Sequence, residues 1–298
     1  MVKKNKMKQK EKMWGQIFIM APMIQFFLFF LLPVSFCIYA GFTNWNILES
    51  SKDFIALDNF KEIFTDPKFW KALSNTLFML LTIPCYLLLS LLFAMAINRK
   101  ILGNKVFRVI YYLPYITSIV ALVIAWKWLF NADYGVVNIM LKSLFNINGP
   151  NWLSDSKWVK INIVMMIVWK MIGISAIYYL AALQNIPKSY YEAAKIDGAS
   201  ETKIFFGITF PLITPITFYL TIVGIIGSLQ TFVEVQLFTT DGGRNYNAAT
   251  LVYYVWQKAF KYNEMGYACA TVTLFGIMIM VITLLQFKIS NKWVYKGE

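Results

Sequence analysis

Long apolar stretches alternate with short polar ones along the whole chain. Six of them, at roughly 14–39, 73–97, 109–130, 159–182, 212–237 and 266–287, are rich in Leu, Ile, Phe, Val and Met and nearly free of charge. A hydrocarbon layer about 30 Å thick takes about 20 residues of helix to cross. Each stretch is therefore predicted to be a membrane-spanning helix, and the fold class expected is an all-α membrane protein with six spans. The first stretch follows a lysine-rich start, as a secretory signal would. Its apolar run is too long for a signal core and no small-residue cleavage site stands out, so it is expected to be a retained span.

The polar segments carry the orientation. Segments 1–13, 98–108, 183–211 and 288–298 together hold sixteen Lys and Arg against five Asp and Glu, whereas 40–72, 131–158 and 238–265 hold nine of each. Positively charged loops stay in the cytoplasm. Both termini are thus expected inside, with 1–13 a cytoplasmic basic tail, 14–298 the membrane domain and 183–211 a cytoplasmic loop.

Composition adds exclusions. The 298 residues are 58% hydrophobic and 14% charged, with a formal charge of +13. Because that excess sits in the loops of one face, it points to a lipid bilayer and not to nucleic acid. The absence of histidine removes His-based acid–base and metal chemistry. Cys37, Cys85 and Cys269 lie in apolar stretches and are expected to be buried thiols, not a disulfide framework. The sequence contains no G-x-x-x-x-G-K-[ST] phosphate cradle, so it is not expected to hydrolyse ATP by a P-loop mechanism. The spans offer no nucleophile–base pair, and no catalytic or metal site is expected.

Residues 190–215, YYEAAKIDGASETKIFFGITFPLITP, are the most informative polar stretch. Pro187 suits the first turn of a helix. Residues 188–197 favour helix, and Lys188 and Glu192 stand i,i+4 apart. Ala193 and Ala194 leave a low surface that another protein can approach. Gly198 can take the left-handed conformation that ends a helix. Ser200 offers an N-cap to a second short helix, with Glu201 near its positive end. Ile204, Phe205 and Ile208 form its apolar stripe, and Pro211 is expected to stop it. A helix–turn–helix on the cytoplasmic face is a docking surface.

At this point the sequence resembles the membrane permease subunits of binding-protein-dependent ABC importers. Their motif is E-A-A, then glycine, then I-x-x-P, which stands here as Glu192-Ala193-Ala194, Gly198, Ile208 and Pro211, with Asp197-Gly198-Ala199 in the usual form. The sugar-importer branch is resembled by Phe42-Thr43-Asn44-Trp45, Asn59-Phe60, Phe69-Trp70, Asn75-Thr76, Leu113-Pro114-Tyr115, Trp128-Leu129-Phe130, Gly135, Asn138, residues 180–184 and Ile186-Pro187. The chain is most similar to the first-permease type of the maltose and glycerol-3-phosphate systems, without the extra N-terminal spans and large external insert of that maltose subunit. It departs from the pattern at Gly242-Gly243-Arg244, where relatives read G-G-P. It departs again at Phe232-Val233-Glu234, where an acidic residue commonly follows the phenylalanine at once.

The resemblance implies a subunit of a carbohydrate importer in a bacterial plasma membrane. Its implied partners are a second homologous permease, two ATP-binding subunits and an external solute-binding protein. ATP and magnesium are used by the partner ATPase, and no cofactor is implied on this chain. Glu192, Ala193, Ala194, Asp197, Gly198, Ala199 and Ser200 are implied to sit in a cleft of the ATPase, whose closure tilts the spans from inward-open to outward-open. Positions matching the sugar-lining ones of relatives are Tyr115, Ile119, Lys170, Met171, Gly224, Ser228 and Thr231. In some relatives only one of the two permeases holds the sugar.

Physical chemistry adds to that list. Lys170 and Glu234 are charges in or near spans, where they are costly and face a cavity or each other. Lys170 lines a cavity, pairs with Glu234 or snorkels. Tyr115 and Trp169 offer rings to a sugar face, and Ser228, Gln230 and Thr231 offer hydrogen bonds. The same small and hydroxyl residues also pack membrane helices together. The competing reading is an ion-coupled secondary transporter, suggested by the Lys170–Glu234 pair. That reading leaves the polar helices unexplained and finds no internal repeat to support it.

Overall fold

The computed structural model describes residues 2–49, 52–98 and 104–295. It is built of helices joined by short loops. Long apolar ones are α1 (Met13–Ala40), α3 (Pro67–Asn98), α7 (Trp158–Gln184), α9 (Glu201–Leu229) and α12 (Met265–Ser290), 26 to 32 residues each. Shorter ones are α2 (Asp58–Thr65), α4 (Asn104–Ile116), α5 (Ile119–Leu129), α6 (Val136–Phe145), α8 (Lys188–Ile196), α10 (Val233–Phe238) and α11 (Leu251–Trp256). Five helices are long and apolar enough to cross a membrane, or six if α4 and α5 count as one broken span. The helix leading into α1 begins at Val2, so the boundary expected at residue 13 falls inside it.

Two of the expected spans contain helix breaks. Residues 109–130 do not form one helix: Val109–Ile116 and Ile119–Leu129 meet at 109°. Pro114 withholds one helix N–H, Thr117 turns its hydroxyl back onto Leu113 O at 2.8 Å, and Ser118 adopts an extended ψ of 132° before α5 restarts. Residues 212–237 are not one helix either. α9 begins at Glu201 and ends at Leu229, and Phe232 (φ −137°, ψ −58°) separates it from α10. Pro211 accordingly does not stop the second polar helix. A wide turn over Phe205–Thr209, in which Phe210 N reaches back five residues to Phe205 O, shifts the bonding register ahead of the proline.

The chain forms two compact units. The smaller comprises Met1–Thr65 and Val255–Phe275. Here α1 ends against the start of α12: a Cβ on Gly41 would stand 3.0 Å from the Ala270 backbone, and one on Gly266 would stand 2.0 Å from Thr43 O. Asn59 donates from Nδ2 to Gly41 O and Thr43 O at 2.9 and 2.8 Å, closing the loop that carries Phe42, Asn44 and Trp45. No residue in the apolar window of α1 is buried. The thiols are less buried than expected, with Cys85 exposed and Cys37 and Cys269 half-buried; Cys37 and Cys269 face each other between α1 and α12.

The larger unit, Asp66–Tyr254 with Gly276–Glu298, is organised by α7. It packs along α3, α4 and α9. Leu91, Ala94, Ala176, Tyr179, Leu180, Leu183, Ile213 and Leu220 make the common core. Glycine permits the crossings: a Cβ on Gly173 would meet Tyr111 O at 2.0 Å, and one on Gly224 would meet the Tyr86 hydroxyl at 2.0 Å. Close backbone approach at small residues is the usual way to pack helices in lipid, where hydrophobic contact alone gives little preference. Asn75, fully buried, donates from Nδ2 to Tyr246 O and Ala249 O, both at 2.9 Å, while its Oδ1 accepts from Lys160 Nζ at 3.1 Å.

Replacing Asn75 by Ala strands two buried carbonyls, at a cost of about 1–3 kcal/mol each. A clear fall in the thermal midpoint of the detergent-solubilised protein is expected by scanning fluorimetry. An unchanged midpoint would mean those carbonyls find other donors.

Candidate functional site

The larger unit presents two places where chemistry-bearing residues converge. The first is the polar elbow formed by α8 and the start of α9. Pro187 (φ −58°) leads into α8. At its other end Gly198 has φ 72°, Gly198 N donates to Lys195 O at 3.1 Å and Ala199 N to Ala194 O at 2.9 Å. These paired bonds consume the last carbonyls of α8 and fix the direction of the exit. Ser200 Oγ accepts from Lys203 N at 3.4 Å, opening α9. The ion pair of the elbow is Lys195 with Glu201 at 3.9 Å, on exposed side chains, and not Lys188 with Glu192. Such a pair adds little stability, so the elbow is held by backbone bonds and by burial.

Burial comes from its inner face. Ile186 and Ile204 are buried, Tyr191 and Phe205 pack on the core, and the Tyr191 hydroxyl meets Thr209 Oγ1 at 3.2 Å. The outer face is open. Glu192, Ala193, Asp197, Gly198 and Ser200 are exposed, Ala194 and Ala199 half-buried, and Ile196 is 86% exposed. Tyr190, Ala193, Ala194 and Asp197, which share one face of α8, also line a depression of about 390 Å³ together with Pro211, Leu212 and Tyr295.

The second place is a cavity of about 170 Å³ between α3, α7, α9 and α10, walled by Thr82, Tyr86, Lys170, Met171, Gly224, Ser228, Thr231 and Glu234 among others. Of the six expected pathway residues it gathers Lys170, Ser228, Thr231 and Glu234. Tyr115 lies on α4 ahead of the 109° bend and stacks on Tyr112 at 5.8 Å, away from this wall. Gln230 is exposed at the end of α9. Trp169 packs against Trp126 at 5.3 Å.

Within the cavity the hydroxyls are committed to the protein itself. Thr231 Oγ1 donates to Ser228 O at 2.9 Å, Ser228 Oγ shares a hydrogen bond with Thr82 Oγ1 at 2.9 Å, and the Tyr86 hydroxyl donates to Leu220 O at 2.8 Å. Lys170 and Glu234 both reach the cavity, and among the described residues no ion pair joins them. Sequence reading missed Thr82 and Tyr86. The signal that would have found Tyr86 is Gly224, since a glycine inside a long apolar helix marks a close neighbour. Among the described residues no cluster of His, Cys, Asp or Glu stands ready for a metal.

Long apolar helices, a polar elbow at the start of α9 and a charged cavity farther along the same helix suit a membrane-embedded subunit. The chain belongs to the family of binding-protein-dependent transport system inner membrane components, whose pattern matches residues 64–296. It is similar to the probable ABC transporter permease protein YesP of Bacillus subtilis, 34% identical over 299 residues, covering 99% of this chain and 96% of that one. It is 37% identical over 239 residues to the lactose transport system permease protein LacF of Rhizobium radiobacter, covering 78% and 80%. Among solved structures it resembles a chain of a bacterial ABC transporter involved in the import of the acidic polysaccharide alginate, with a TM-score of 0.83, 25% identity and coverage of 96% and 98%. The chain is thus a non-catalytic, multi-pass permease subunit of an ABC importer, and ATP hydrolysis belongs to partner subunits.

Gly198→Ala should cost about 1–2 kcal/mol of local stability, because its Cβ is strained at positive φ. Hydrogen–deuterium exchange at the amides of residues 198 and 199 is expected to speed up about tenfold, with α7 unchanged.

Proposed function

We propose that this subunit forms half of the path for an imported carbohydrate, that its elbow docks on an ATPase in the cytoplasm, and that Lys170 and Glu234 bind the solute. The observation that carries the reading is that one helix, α9, holds both sites. It starts in the elbow at Glu201 and bears Gly224 and Ser228 in the cavity wall, 27 residues farther on. At 1.5 Å per residue that is roughly 40 Å, the depth of a bilayer with its headgroups. A displacement at one end is delivered to the other.

The carbohydrate assignment is supported by relatives named for lactose, arabinooligosaccharides and multiple sugars, and by the structural likeness to the alginate importer. The cavity chemistry agrees. A carboxylate accepts and an ammonium donates, so the two free charges can grip sugar hydroxyls without help from hydroxyls already spent. In this reading 14–298 is the membrane domain, 1–13 a basic cytoplasmic tail, and both termini lie inside by the excess of lysine and arginine. The partners are a second permease, two ATP-binding subunits using ATP and magnesium, and a solute-binding protein outside. A structural relative in complex with an alginate-pentasaccharide-bound periplasmic protein supports the last.

Two measurements test the reading. Glu192→Lys and Gly198→Val are expected to insert normally and to lose co-purifying ATPase; retention of the ATPase by either removes the docking assignment. Lys170→Met and Glu234→Gln are expected to keep the ATPase bound and to raise the solute concentration for half-maximal uptake about tenfold or more, a loss on the scale of one charge-assisted hydrogen bond. Unaltered uptake by both variants would move the solute site elsewhere.

A further inference from the structure

The described chain continues past its last span. After Ser290, α12 closes in a tight turn, Trp293 N and Val294 N both donating to Ser290 O at 3.1 and 2.9 Å. The segment then lies against α9. The Trp293 ring meets Phe218 edge-on at 6.0 Å, and Phe287 meets the other side of the same contact at 5.5 Å. Two residues later the backbone N–H of Tyr295 donates to Thr214 Oγ1 at 2.8 Å.

That hydroxyl already has a task. Pro215 lacks the N–H that an unbroken helix would offer to Pro211 O, and Thr214 Oγ1 donates to that carbonyl instead, at 2.6 Å. Tail N–H, threonine hydroxyl and proline carbonyl form one relay, and Thr214 is only 2% exposed. Tyr295 then borders the depression that Ala193, Ala194 and Asp197 of the elbow also line. The tail is thus bonded to α9 between its two prolines and faces α8 across that depression.

We propose that residues 293–295 are a positioning element of the elbow. They brace α9 where it runs on through Pro211 and Pro215, so that force applied to α8 is passed up the helix and not absorbed there. Proline sites are where helices bend, and a lever needs such a site braced. The proposal rests on the docking reading above.

The test uses the assembled transporter in lipid nanodiscs and proteoliposomes, with the native cysteines replaced and a nitroxide placed at Ile196. Thr214→Val, which keeps the shape and removes both bonds, is expected to retain the ATPase. Solute moved per ATP should fall about fivefold, the factor that one hydrogen bond's net worth gives a two-position equilibrium. The nitroxide should gain mobility. Thr214→Ser should restore both. A chain ending before Trp293 leaves the Thr214–Pro211 bond in place and decides the matter if Thr214→Val fails to fold; it should behave as Thr214→Val does. Parental yield per ATP and parental mobility in the truncated chain would overturn the proposal. Should Gly198→Val keep its ATPase, the docking reading fails separately, and the nitroxide alone still reports whether the tail holds the elbow.

Discussion

Hydrocarbon offers no hydrogen bonds, and so every peptide group that leaves the helical ladder in this chain must find an internal donor or acceptor. The prolines and helix breaks are tolerable only because side chains answer them. Thr117 caps Leu113 O beside the 109° bend, Thr214 caps the carbonyl that Pro215 abandons, and Thr231 caps Ser228 O where α9 ends. Asn75 serves two carbonyls of the loop before α11. Remove those hydroxyls and amides and the irregular backbone, which is where both candidate sites lie, loses its support.

This explains which parts were legible in the sequence. Apolar run length gave the long helices, since burial of that much surface leaves few alternatives. Pro187, Gly198 and Ser200 announced the elbow, because each has one strong conformational preference and the preferences agree. Breaks inside apolar runs were harder. Pro114 and Pro211 are both prolines in apolar helices, yet the chain bends sharply after the first and runs on through the second. The difference is made by a wide turn at Phe205–Thr209, a shift of one hydrogen-bond register that no local pattern announces.

The polar motif residues divide in an unexpected way. Asn59, Asn75 and Asn138, which carry part of the resemblance to the sugar-importer branch, each tie a loop. Asn138 accepts from Trp152 Nε1 at 2.7 Å and sits so close to Gly149 that a Cβ there would stand 1.9 Å from Oδ1. Ser228 and Thr231, which could serve a solute or helix packing, bond to Thr82 and to the backbone. Spacing can place a hydroxyl near a cavity but cannot say whether its hydrogen bond is already taken. What remains free in the wall is the pair of charges, whose cost inside a membrane is otherwise unrepaid.

The continuity of α9 has a thermodynamic corollary. Linkage between two binding events is symmetric, whatever the hardware. If nucleotide binding below alters how the cavity grips its cargo, then an occupied cavity alters, by the same free energy, how the engine below grips its nucleotide. If α9 docks below as proposed, the empty and the loaded carrier hold nucleotide with different affinities.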